Sequence, residues 1–396
     1  MILVLLLSIL LGIIAGTFTG LIPGIHINLI AVMVLTYLSQ INPVFLATFV
    51  FSMAITHTFL NAIPSILLGA PDPDMALATL PGHSLLLKGH GYDAIKLTII
   101  GSFLGLLVVI ASIPLLLVFL KPFYNLIADY IGFLLLFVSL FIILKSRNKI
   151  KALFIFIASG ILGFIALGSP QIKQPLFPLL SGLFGCGLLL YSAFKKTKIP
   201  KQKKKTVKIN KKETIKALIG AYFSSAIITI FPAITPAIAA TLSTHLMKNL
   251  TKRGYLLMLG AINTMAMFSS LIFLYTIQKS RNGAILAISK LIQINTGILT
   301  TLTFSALITA GLSALIALTL TKIIINSIRR INYSVLNVIV LIFLFAISIP
   351  ISGPIGAILL VVSTSIGLLT NIWQVKRTTA MGCLLLPTIA LYFGLF

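Results

Sequence analysis

Residues 93–120 read DAIKLTIIGSFLGLLVVIASIPLLLVFL, and from Leu97 to Leu120 no side chain carries a charge. A charge-free stretch of this kind is long enough to cross the roughly 30 Å hydrocarbon core of a bilayer as a helix. The pattern recurs along the chain. Phe133 to Leu144, Leu153 to Leu167 and Val335 to Ile349 are further apolar runs with short polar connections, a succession typical of membrane spans and not of soluble cores. Of 396 residues 59% are hydrophobic and 9% charged, and the mean hydropathy of +1.14 excludes a water-solvated globular surface.

The net charge of +25 raises nucleic-acid binding as an alternative, but the basic residues sit between apolar runs and are not interleaved with stacking aromatics, so that class is set aside. Cys186 and Cys383 lie in apolar runs as ordinary small hydrophobes, and neither a disulfide nor a metal site is implied. The opening Met1-Ile2-Leu3-Val4 lacks a basic n-region and reads as a first span, not a cleaved signal peptide.

Breaks in the apolar pattern give spans at 1–22, 25–41, 43–69, 93–120, 129–145, 150–168 and 174–194. A second series follows at 213–231, 233–247, 254–278, 295–328, 333–350, 354–372 and 377–395. The expected fold is an all-α polytopic membrane protein of two inverted-topology repeats, about seven spans each, with broken or re-entrant helices. The N-terminal membrane repeat covers 1–194, a basic linker 195–212, and the C-terminal repeat 213–396. Stretches 70–92 and 279–294 are expected to dip in and return. With the N-terminus outside, only Lys121, Lys173, Lys279, Arg281 and Lys290 of the 30 Lys and Arg residues lie outside, a positive-inside arrangement in a multi-pass cell-membrane protein. The linker KKTKIPKQKKKTVKINKKE then lies at the cytoplasmic face, solvated or in contact with anionic lipid.

Two turns mark the expected substrate site. Pro23-Gly24, followed by His26 and Asn28, comes after the first span of its half, and Pro232 with Thr235 occupies the corresponding place in the second. Pro and Gly free backbone hydrogen-bonding groups that lipid cannot satisfy, so such breaks face protein or water. A helix that restarts there offers free N–H groups to an anion. The competing reading makes both turns tight connections outside the bilayer. His57 and Asn61, four residues apart, fall on one helix face and stand opposite Asn263 and Thr264 in the second half. His57 either joins two helices by a hydrogen bond or relays protons. Asp72 and Asp74, in a Pro-rich break, either cap a helix or take part in cation coupling or gating. Asp93 reads as an N-cap, Asp129 and Glu213 as interfacial residues, and His83 and His90 as loop residues. No set of ligands suits a metal.

The stretches GTFTGLIPGIHINLIAV and NAIPSILLGAPDPDMALATLPGHSLLLKGHGYDAIKLTIIGS, with FPAITPAIAATLS and GAINTMAMFSS further on, resemble the TctA-type large permease of the tripartite tricarboxylate transporter family, in particular its short archaeal relatives. The likeness is strongest over residues 12–105. It implies a permease of two related halves that takes up organic anions, working with an extracytoplasmic binding protein and a small membrane subunit. Pro232-Ala233 departs from the family's second Pro-Gly motif, and Ala261-Ile262-Asn263 lacks the acidic residue that commonly precedes the Asn.

The expected function is secondary active transport of a small, carboxylate-like organic anion, a symport driven by Na⁺ or H⁺, since no Walker A loop is present. No cofactor is expected. The alternative is a translocase for a lipid-linked phosphate such as a polyprenyl phosphate. An intramembrane enzyme has no motif in its favour.

Overall fold

The computed structural model describes residues 2–22, 27–37, 40–67, 75, 79–193, 200–202, 210–232, 234–247, 250–280, 282–328 and 333–395. Every regular element among them is helical. The first half comprises α1 (Ile2–Leu21), α2 (Ile27–Tyr37), α3 (Pro43–Leu60), α4 (Ala62–Leu67), α5 (Thr79–Leu86), α6 (Gly91–Ala111), α7 (Ile113–Ile127), α8 (Ile131–Leu144), α9 (Lys149–Gly168), α10 (Leu176–Leu180) and α11 (Gly187–Ala193). The second comprises α12 (Lys211–Ile230), α13 (Pro236–Leu246), α14 (Lys252–Ile277), α15 (Gly283–Leu291), α16 (Thr296–Ile328), α17 (Tyr333–Ile372) and α18 (Gly382–Tyr392). Among the described residues nine helical stretches are long and apolar enough to cross a membrane. Leu3, Phe137 and Ile358 are among the many large hydrophobics on the outer surface, where lipid and not water is their solvent.

That number is below the roughly fourteen crossings expected from hydropathy, and the shortfall has identifiable causes. α2 and α13 have 11 residues each, so at 1.5 Å per residue each covers about 16 Å, near half the hydrocarbon thickness. The last expected span, 377–395, starts as a 3₁₀ turn at Arg377–Met381 and only then becomes α18. α17 counts as one stretch of 40 residues but is interrupted at Gly353, at φ 81° and ψ 175°. Phe345 and Ile349 on one arm line the same apolar cleft as Ile358 and Val362 on the other. In a straight helix Phe345 and Val362 would stand about 25 Å apart, so the arms fold back at Gly353, as the expected spans 333–350 and 354–372 require.

Helix directions follow from residue-to-residue approach. On α1, Gly12, Gly16 and Gly20 face Ser52, Thr56 and Leu60 of α3 in rising order, so the two helices run parallel. A Cβ at Gly16 would come within 2.5 Å of the Met53 carbonyl oxygen. Small residues at this spacing let backbones approach closely, which drives packing where lipid removes any hydrophobic advantage. α12 and α14 are likewise parallel, Glu213 lying by Gly254 and Gly220 by Met258. α3 and α14 run antiparallel. Phe51 meets Phe268, Thr58 meets Thr264 and Asn61 meets Asn263, one index rising as the other falls.

α14 is the central pillar, and every residue of its most apolar stretch is buried. α6, α12 and α3 pack around it, and α16 packs on α3 and α6. The contact of α6 with α14 is close: a Cβ at Gly101 would stand 2.0 Å from the Leu257 carbonyl oxygen. Gln202 of the linker is held at the face where α6, α12 and α14 start. Gln202 accepts from the Gly91 N–H at 2.8 Å and donates to Leu86 O at 3.0 Å, Lys252 donates to Ser84 at 3.1 Å, and Glu213 accepts from the Thr251 N–H at 3.0 Å.

Candidate functional site

The α3–α14 crossing brings together three of the residues singled out in the sequence, Asn61, Asn263 and Thr264. Asn263, near the middle of the 26-residue α14, donates from Nδ2 to Asn61 Oδ1 at 3.1 Å and to Thr58 O at 3.4 Å. Thr58 and Thr264 share a hydroxyl contact of 2.9 Å. His57 Nδ1 lies 3.2 Å from Thr19 Oγ1 on α1, a bond between helices, and Ser313 of α16 donates to Thr56 at 2.9 Å. All are buried. The result is a seam of polar groups joining three helices to α3 within the bundle, where lipid offers no hydrogen bonds. Asn61 ends α3, and its N–H still bonds to His57 O at 3.0 Å before the chain resumes as α4, so the four-residue relation with His57 survives the break. Asn61 Nδ2 has no partner.

The Pro turns are described only in part. Pro23, Gly24, His26, Asp72 and Asp74 lie outside the described residues. Asn28 is in the first turn of α2, and its side chain is not among those described. Pro232 is half-buried in the turn between α12 and α13. Thr235 caps α13, accepting from the Ile238 N–H at 3.5 Å and donating to Met381 Sδ at 3.6 Å.

Three polar residues sit differently from expectation. His90, not Asp93, holds the N-cap position of α6; Asp93 falls in the first turn, 2% exposed, with Oδ2 3.1 Å from His90 Nδ1. His83 is helical, on α5, 3.2 Å from Ile66 O, and burial pushes its pKa below the ordinary value. Asp129 is exposed and Glu213 joins the starts of α12 and α14, as interfacial residues do.

The 3₁₀ turn Arg377–Met381 was missed. Arg377 is 7% exposed, and its Nε and Nη2 donate to Asn371 Oδ1 at 3.3 and 3.2 Å. Read in sequence it looks like one more flanking cation before a span. The signal that marks it is Arg377-Thr378-Thr379 followed by Gly382, which lets the chain pack on the backbone of α9: a Cβ at Gly382 would stand 2.2 Å from Phe156 O. Through Met381 and Thr235 this turn touches the Pro-containing turn of the second half. Among the described residues no three His, Cys, Asp or Glu side chains gather as metal ligands.

A bundle of long apolar helices, two half-length helices and polar groups buried within it defines a multi-pass membrane protein built on the plan of a permease. The chain belongs to the tripartite tricarboxylate transporter TctA family, which matches it over residues 6–382. An uncharacterized protein of Methanocaldococcus jannaschii is 33% identical to it, over 98% of both chains. No solved structure matches. Membership makes the chain a membrane transporter of a family whose members are components of tripartite systems, usually with a binding protein and a small membrane subunit.

Proposed function

We propose that the protein is a secondary active transporter for a small carboxylate-like organic anion, coupled to Na⁺ or H⁺, and that its two halves are inverted counterparts. The observation that carries this reading is the α3–α14 seam. The parallel pair α1 and α3 runs against the parallel pair α12 and α14, and the two pairs meet through Asn61 and Asn263. Each pair is joined by a half-length helix, α2 or α13, that follows a Pro-containing turn. Such helices leave their N-terminal N–H groups unspent inside the bilayer, and those groups favour an anion. In this scheme Pro23, Gly24, His26, Asn28, Pro232 and Thr235 form the two turns at the substrate, with His57, Asn61, Asn263 and Thr264 beside them. Asp72 and Asp74 serve coupling or gating. An extracytoplasmic binding protein would deliver the solute.

The test is uptake of labelled citrate and succinate into proteoliposomes under Na⁺ and proton gradients. Asn28→Ala and His26→Ala are expected to lose uptake while the folded fraction stays at the wild-type level; wild-type rates in both would refute the assignment. One observation favours a lipid-linked phosphate as second substrate class: the cleft of about 520 Å³ between the arms of α17 is lined by Phe345, Ile349, Ile358 and other apolar residues of the outer surface, and would suit a polyprenyl chain. Stabilisation by a polyprenyl phosphate but not by citrate would shift the assignment to that class.

A further inference from the structure

Among the described Lys and Arg residues Arg377 alone is buried. Its place follows from α9. Trp373 packs on Lys151 and Phe154 in the first turns of that 20-residue helix, whereas Gly382 packs on Phe156 and Ser159, about halfway along it. The chain between these points is a 3₁₀ turn, and it holds the guanidinium buried where α17 ends and α18 begins.

Its charge is unbalanced there. The described ion pairs reduce to His90 with Asp93, and Arg377 has a neutral amide, Asn371, as its partner. Nη1 has no hydrogen-bond partner, and neither has the hydroxyl of the adjacent Thr378, which is 3% exposed. An Arg does not give up its proton, and a cation held in low dielectric without a counter-charge is costly. In a membrane transporter a buried cation without a counter-charge is a candidate contact for a charged solute. The second half's Pro-containing turn lies alongside, through Thr235 and Met381.

We propose that Arg377, with the Thr378 hydroxyl, is the anchor for an oxyanion group of the carried solute, a carboxylate in the reading above, on which this inference rests. A guanidinium presents a planar fork of N–H donors that matches a carboxylate, and the unspent donors at Nη1 and Thr378 are the ones it would take. Binding of the anion supplies the missing counter-charge, and Asn371 holds the side chain in place between transport cycles.

The experiment follows thermal unfolding of the purified full-length protein with citrate, succinate, inorganic phosphate or a polyprenyl phosphate, against chloride at equal ionic strength. The wild type is expected to be stabilised by citrate in a saturable way. Arg377→Lys should weaken that response by roughly thirtyfold or more, as loss of one member of a buried charge pair does. Arg377→Gln should abolish it with no loss of stability in the absence of ligand, and Thr378→Val should weaken it. A stabilised wild type whose response survives in Arg377→Lys and Thr378→Val overturns the proposal even if Arg377→Gln does not fold, and so does a wild type that none of the four oxyanions stabilises. Citrate uptake at wild-type rate and affinity by Arg377→Lys would remove the anchor and keep the transporter. An Arg377-dependent citrate response in a protein that takes up no carboxylate would keep the anchor and remove the transporter reading. Response to the polyprenyl phosphate alone, lost in Arg377→Lys, would keep the anchor and assign its oxyanion to a lipid carrier.

Discussion

The α3–α14 seam and the turn at Arg377–Met381 are both polar and both buried, yet they meet the bilayer in opposite ways. In the seam, Asn263 and the two threonines are bonded across helices, glycines bring the flanking helices to van der Waals contact, and the donor left over, Asn61 Nδ2, belongs to an uncharged amide. In the turn, a cation and a hydroxyl are left with donors unspent, held by a segment that is not α-helical. Hydrogen bonds across helices rigidify, whereas an unpaired buried charge costs more free energy than an unpaired amide until something binds it. Under our proposal the seam joins the halves beside the substrate and the turn grips its charge.

The comparison breaks most readily at the glycines. Gly101→Val would put a side chain where even a Cβ stands 2.0 Å from Leu257 O, and near-complete loss of monodisperse protein on size exclusion is expected. Gly311→Ala, with nothing within 4 Å, should express as the wild type does. Next in size is Asn263→Leu, which leaves Asn61 Oδ1 unpaired in the seam and should cost about 1–3 kcal/mol in thermal unfolding. The Asn61→Leu, Asn263→Leu double variant should lose less than the sum of the singles. Gly353→Ala forces a side chain to φ 81° at the tip of α17 and should cost about 1–3 kcal/mol in the same assay through backbone strain alone, the nearest atom being 3.8 Å away. Thr378→Val, by contrast, removes a hydroxyl that nothing satisfies, so unliganded stability should hold or rise, by up to about 1–3 kcal/mol, while uptake falls. Equal destabilisation by Asn263→Leu and Thr378→Val would erase the distinction between the two regions.

How far the sequence reveals this division depends on the physics of each part. Apolar runs report solvent directly, so the membrane class, the restart at α12 near residue 211 and the break of α17 beside Pro350 and Pro354 were all legible. Order alone set the stretch His57 to Ser65 opposite Asn263 to Ser270, and the structure brings Asn61 and Asn263 of those stretches to one crossing. Hydropathy does not register length lost to a turn, so α2 and α13 were expected as spans though each has 11 helical residues. Nor does it register what surrounds a single charge. Arg377 adjoins Lys376 and precedes an apolar run, like any flanking cation, and only tertiary packing on α9 buries it. Asp93 was misread for a similar reason: it sits buried in the first turn of α6 beside His90, which holds the N-cap position.

The most direct measurement is thiol labelling of Thr378→Cys in a protein whose Cys186 and Cys383 are replaced by Ala, reconstituted in sealed proteoliposomes and exposed to a membrane-impermeant reagent. The account predicts that this buried position is modified as the transporter cycles and that citrate slows the reaction, whereas Ala306→Cys, on the fully buried face of α16, stays unmodified. A Thr378→Cys protein as inert as the Ala306→Cys control, with and without citrate, would contradict the claim that the broken segment between α17 and α18 lines the solute path.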